Sequence, residues 1–115
     1  MATADQTVKK VLDNLNQRIS SVGGVVDSWS DGNGNWWRKY SDGWIEQGGK
    51  SDKTFAGPVS LNTSFSGTNY VAMIIPIDHV QQTQMMVKVY EKTTSTFNFT
   101  WWGASGGTYW FACGY

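Results

Sequence analysis

The spacing of apolar residues changes period once along this chain of 115 residues, and no single kind of secondary structure satisfies both halves. Early in the chain, apolar side chains fall at Val8, Leu12, Leu15, Ile19 and Val22, at intervals that alternate between four and three. That is a heptad seam, with Leu12 and Ile19 at a and Val8, Leu15 and Val22 at d. Thr3 and Gln6 have capping-box spacing, so the helix is expected to begin near Ala4, and Gly23 with Gly24 ends it. From Trp36 onward the period is two, which extended strands present and helices do not.

A helix of this length is marginal by itself and needs a partner surface. It can lie on its own domain or pair with copies of itself as a short parallel coiled coil. Leu at a with β-branched Val at two d positions leans toward three strands. The expected organisation is a stem helix over 1–24, a linker over 25–34 rich in turn formers, and a β head over 35–115.

Within the head, Asn35 to Tyr40 and Trp44 to Gln47 flank Ser41-Asp42-Gly43 and read as a hairpin. Further strands are expected at Phe55 to Leu61, Asn69 to Pro76, Met85 to Glu91, Thr96 to Trp102 and Thr108 to Gly114. Phe97, Phe99 and Trp101 alternate with Thr96, Asn98 and Thr100, the pattern of a strand with one buried face. Asn69 to Pro76 differs, because Tyr70, Ala72 and Ile74 face one way and Val71, Met73 and Ile75 the other. A strand apolar on both faces must be covered on both. A head of about 80 residues covers only one side from within, so a neighbouring subunit is the natural second cover. Seven short antiparallel strands make a mainly β protein, an antiparallel β-sandwich.

Charge and composition narrow the function. Nine Lys and Arg balance nine Asp and Glu, so there is no basic surplus for nucleic acid or an anionic membrane. No apolar run is long enough for membrane insertion. One Cys and one His exclude a disulfide framework and the commoner single-chain zinc sites. No cofactor or metal is expected. Charged residues make up 16% of the chain against 15% aromatics. So uncharged a surface suggests that part of it is hidden in an oligomer.

Three stretches of the chain carry a family likeness. The hairpin GNWWRKYSDGWIEQGG (Gly34 to Gly49), the middle segment FAGPVSLNTSFSGTNYVAMIIP and the ending FNFTWWGASGGTYWFACGY resemble the C-terminal receptor-binding domains of bacteriophage tail-fibre proteins. The resemblance implies a homotrimeric, H-type-lectin-like β-sandwich at the distal end of a virion's tail fibre, following a coiled coil or other stem. It implies partners too: the rest of the fibre upstream, and a bacterial surface glycan or outer-membrane protein as receptor. It also suggests that the chain is a C-terminal piece of a longer fibre. It transfers no binding residue, because receptor-contacting loops vary in such proteins.

Several constellations have plainer readings beside their chemical ones. Trp36, Trp37, Tyr40 and Trp44 could stack on sugars, but on strands they read first as packing. Gly103-Ala104-Ser105-Gly106-Gly107 has the letters of a nucleophile elbow, yet the residues after it are strand-like and His79 precedes it. It reads as a hairpin loop. Asp31, Asn33, Asn35 and Asp42 mimic a calcium loop, but Trp36 stands where Gly is required; an Asx-rich turn fits better. Cys113 reads as a small buried hydrophobe.

With alternating strands, the loops at 49–54, 77–84 and 103–107 share one end and those at 41–43, 62–68 and 92–95 share the other. The first set is longer and richer in polar and aromatic neighbours, so the receptor-binding candidates are Asp78, His79, Gln82, Trp102, Ser105 and Tyr109. The stem candidates are the five seam residues. The expected function is non-enzymatic attachment to a host surface. The alternatives are a trimerisation cap that touches no receptor, and a polysaccharide depolymerase.

Overall fold

The computed structural model describes residues 3–21, 24–78, 87–101 and 106–115, with the side chains of residues 18–21 left out. The fold is mainly β, as expected, with one helix and eight strands among those residues. The helix α1 runs Ala4–Ser21. Its capping box closes in both directions: Thr3 N donates to Gln6 Oε1 at 2.9 Å, and Gln6 N donates to Thr3 Oγ1 at 3.3 Å. Asp5 in the first turn complements the helix dipole. Val8, Leu12 and Leu15 are all about half exposed, so these seam residues are not folded onto the sandwich. Val22 and the Ile19 side chain lie outside the described residues.

The strands are β1 (Val25–Ser30), β2 (Trp36–Tyr40), β3 (Ile45–Ser51), β4 (Ala56–Ser60), β5 (Val71–Pro76), β6 (Val87–Tyr90), β7 (Thr96–Trp101) and β8 (Thr108–Gly114). They form a five-stranded sheet, β1-β2-β3-β8-β5, and a three-stranded sheet, β4-β7-β6. Every strand pairing is antiparallel.

The segment read as a linker contains an unexpected strand. β1 pairs with β2 through Trp29↔Trp37 and Ser30↔Trp36. Its six residues are all exposed, so they carry no burial pattern for periodicity to detect. The hairpin holds it in place. The turn between β1 and β2 is built by the Asp31 carboxylate, which accepts Asn33 N at 2.7 Å and Asn35 N at 3.1 Å. Gly32 and Gly34 supply the left-handed backbone this turn needs, at φ +75° and +95°.

The core lies between the two sheets. Ile45, Ile74, Trp110, Ala112 and Tyr70 meet Val59, Phe97, Phe99 and Trp101. Phe97 and Trp110 make an edge contact across the layers at 5.9 Å between ring centroids. One buried polar side chain organises a long connection. Gln47 Oε1 accepts from Asn62 N and Thr63 N, and Gln47 Nε2 donates to Thr63 O. Asn62 in turn donates to the carbonyls of Trp36 and Gly48. The 62–63 backbone is thereby fixed to the β2–β3 hairpin. Tyr70 ties down the 93–96 turn in the same way, its hydroxyl 2.8 Å from the carbonyls of Thr93 and Thr96.

Candidate functional site

Chain direction fixes which loops lie away from the helix. Gly24 O accepts Ser41 N at 2.9 Å, and Val25 pairs with Tyr40. The chain leaving α1 therefore enters the head at the 41–43 end. Ser51 pairs with Thr108, and Pro76 does too, at the opposite end. There Ile77 N donates to Gly107 O at 2.9 Å and Gly106 N to Ile77 O at 2.6 Å. The loop set favoured from the sequence thus sits at the end remote from the helix, so far as it is described.

Of the candidate residues, the structure places Asp78 and Tyr109. Asp78 takes a left-handed backbone at φ 50° and packs beside Gly106 at the remote end. Tyr109 points from the outer face of the five-stranded sheet, opposite Ile75. His79, Gln82, Trp102 and Ser105 lie outside the described residues.

Tyr109 belongs to a larger feature. On the outer face of β5 and β8, Val71 pairs with Cys113, Met73 with Phe111 and Ile75 with Tyr109. Val71, Met73 and Ile75 are each more than half exposed, while Tyr70 and Ile74 beside them are buried. This is the double-faced strand expected from the sequence, with one side covered by the core and the other open among the described residues. At the β5–β6 edge the same apolar surface continues into a cavity of about 470 Å³ lined by Met73, Ile75, Val87, Val89 and Phe111. Exposed apolar patches of this kind on small proteins mark interaction surfaces.

Further aromatics pack on the same sheet. Trp36 lies 6.0 Å from Phe111, and Trp44 meets Tyr115 edge-on at 5.2 Å. Arg38 and Lys39 lie over Trp36 and Trp37. Tyr40 Oη donates to Glu46 Oε2 at 2.9 Å. That bond, with burial, raises the Tyr40 pKa above the ordinary tyrosine value. Burial pushes the Cys113 thiol up, and the Glu46 charge adds to it. A thiol so placed is a poor nucleophile. Trp36, Trp37, Tyr40 and Trp44 are therefore half-buried packing groups, in line with the plainer reading of the cluster.

No protein-family model matches the sequence, and no curated protein matches it. Among solved structures, the chain is similar to an N-truncated R2-type pyocin tail fibre (TM-score 0.61, 18% identity), covering 84% of this chain and 41% of that one. It is also similar to an N-truncated R1-type pyocin tail fibre (TM-score 0.56, 14% identity), over 87% of this chain and 95% of that one. A C-terminal piece of the Pseudomonas aeruginosa R2 pyocin fibre matches at TM-score 0.56 and 16% identity, over all of this chain and 30% of that one. At these identities the likeness is one of fold: this chain has the fold of a tail-fibre domain and spans less than half of the R2-type fragments.

Proposed function

We propose that the chain is the receptor-binding end of a phage-tail-like fibre, working as a homotrimer without enzymatic activity. The observation that carries this reading is polarity along the fold. The helix joins at the 41–43 end, while the polar segments around Asp78 and Gly106 occupy the other. A stem at one end leaves the loops of the opposite end free to meet a surface, as an attachment fibre requires. The likeness to pyocin tail fibres supports it.

Assembly in threes is supported by two apolar surfaces that the described residues leave open, the Val8-Leu12-Leu15 seam and the outer face of β5 and β8. Half-exposed aliphatic side chains gain about 1 kcal/mol each when covered, and several together favour assembly. Receptor contact would fall to the remote loops, including Asp78, His79, Gln82, Trp102 and Ser105, with Tyr109 nearest the subunit boundary. Three weak sites on one fibre would act by avidity. The receptor would be a bacterial surface glycan or outer-membrane protein, and the rest of the fibre the upstream partner.

The test is adsorption of the fluorescently labelled chain to bacterial cells, with its mass followed by sedimentation. A trimer that adsorbs, and whose adsorption falls in His79→Ala or Trp102→Ala, bears the reading out. A trimer that adsorbs to no host would instead be a structural cap. Release of oligosaccharide from cell-surface polysaccharide would make it a depolymerase.

A further inference from the structure

The five-stranded sheet is wider than the three-stranded sheet that covers it, and burial on its inner face fades toward β1. Gln47 in β3 is fully buried, Trp37 opposite it in β2 is half-buried, and Trp29 opposite Trp37 in β1 is 42% exposed. The β1–β2 hairpin therefore overhangs the core as a shelf. Asp27 and Lys39 form the neighbouring pair on the same surface, one row nearer the 41–43 end. Alternate residues of a strand point the same way and paired residues share a face. Register alone gathers Asp27, Trp29, Trp37 and Lys39 together.

Within this patch the two indoles differ. Trp37 is the support: the Lys39 ammonium lies 5.0 Å from its ring centroid, so a cation already covers one of its faces. Trp29 is the open ring. No side-chain hydrogen bond or ring contact engages its indole among the described residues. Asp27 turns one carboxylate oxygen, Oδ1, back to Ser28 N at 2.9 Å and keeps Oδ2 for a ligand. One carboxylate and one ammonium thus stand in the row beside the indoles and leave the shelf without net charge. The hairpin's far end is fixed by the Asp31 carboxylate, which accepts Asn33 N and Asn35 N.

The shelf lies on the face of the sheet opposite Val71, Met73 and Ile75, so a subunit seated on that outer face leaves it open. Its Trp row adjoins the 31–34 turn, at the end remote from the helix. Its size suits a small ligand better than a protein. Two residues on each of two strands outline roughly 10 Å by 13 Å, on the order of 130 Å², where a stable protein interface buries about 800 Å² per partner. We propose that this shelf binds a neutral pyranose unit of a surface glycan. The sugar's C–H face lies on Trp29, and its hydroxyls reach the Asp27 carboxylate and the Lys39 ammonium. An acceptor and a donor side by side suit a ligand that carries both, and their opposite charges give no advantage to an ion. This rests on the attachment reading and names the chemical class of the receptor.

The test titrates the intact chain with maltohexaose, chitohexaose and oligogalacturonate, following the Trp29 indole N–H by NMR. The proposal expects a neutral oligosaccharide to shift that resonance and to bind at least about tenfold more weakly to Trp29→Ala. Trp29→Phe, which keeps a ring, should fall between the two. Because Trp29 is exposed, both variants should unfold at the parent's denaturant midpoint. No shift with either neutral sugar, tighter binding of oligogalacturonate, or unchanged binding by Trp29→Ala would each overturn it. A lower mass of Trp29→Ala in sedimentation would make the shelf a subunit contact instead and overturn it too. Cell adsorption separates the two failures. If the parent does not adsorb, the attachment reading falls; if parent and Trp29→Ala adsorb equally, only the shelf does. Trp29-dependent adsorption that survives periodate treatment of the cells but not protease would assign the shelf to a protein receptor, against the proposal.

Discussion

Ile74 and Ile75 are consecutive in β5, yet Ile74 is 9% exposed and Ile75 is 64% exposed. Ile74 pairs with Trp110 on the core side, and Ile75 pairs with Tyr109 on the outer side. The pleat alone produces this difference. The same apolar residue stands on both sides of a sheet that the described residues cover only once.

Truncating the two isoleucines should therefore separate folding from association. Ile74→Ala creates a core cavity and should cost about 2–5 kcal/mol of stability. Ile75→Ala should change the dilute, dissociated head by no more than about 0.5 kcal/mol. At higher concentration it should weaken self-association. Chemical denaturation at low concentration and sedimentation equilibrium across a concentration series measure the two effects. Equal destabilisation by both changes, with no effect on mass, would contradict the assignment of an interface here.

The helix makes a companion prediction. With Leu12 and Leu15 about half exposed and α1 only 18 residues long, the helix needs partners to persist. Leu12→Glu should place like charges at the centre of the seam. Helical circular dichroism should then fall while the β-sheet signal stays. A helix that survives unchanged in the substituted, monomeric chain would show that α1 does not depend on self-association.

Much of the fold is legible from the sequence because alternation is strict where one face is buried. Phe97, Phe99 and Trp101 declare their face for that reason, as do the two sides of β5. β1 is not legible, since Val25–Ser30 is exposed along its length and surrounded by turn formers. It exists because β2 offers an edge. The end at which the chain enters the head is equally hidden, because it is set by the pairing of β1 with β2 and by the bond between Gly24 and Ser41. Long-range contacts leave no local pattern.

Gln47 is the clearest case of a residue whose importance is invisible locally. It is fully buried, and its carboxamide serves three backbone groups of Asn62 and Thr63. Gln47→Leu keeps the volume but strands those groups, at about 1–3 kcal/mol for each left without water or a new partner. Denaturant titration should show a loss of at least about 2 kcal/mol, with faster amide exchange at Asn62 and Thr63. Unchanged exchange there would mean that the connection is held by something else.

The β1–β2 turn gives a pH prediction. Asp31 has its pKa lowered first by the Asn35 side-chain amide, then by the Asn33 backbone amide. A carboxyl whose folded pKa lies below its unfolded value, about 3.9 for Asp, stabilises the fold above that unfolded value. The contribution is lost as pH falls through the folded pKa. The turn should therefore hold its geometry at neutral pH and loosen only below about pH 4. Because Asn35 also receives Lys50 N, loosening should spread to the end of β3. NMR titration should show Asn33, Asn35 and Lys50 amides moving together with a midpoint below that of an unfolded Asp. In Asp31→Ala, the three resonances should lose this acid transition and already sit near their low-pH positions at pH 7. If the Lys50 amide responds to pH independently of Asn33 and Asn35, the turn and the end of β3 are not mechanically joined.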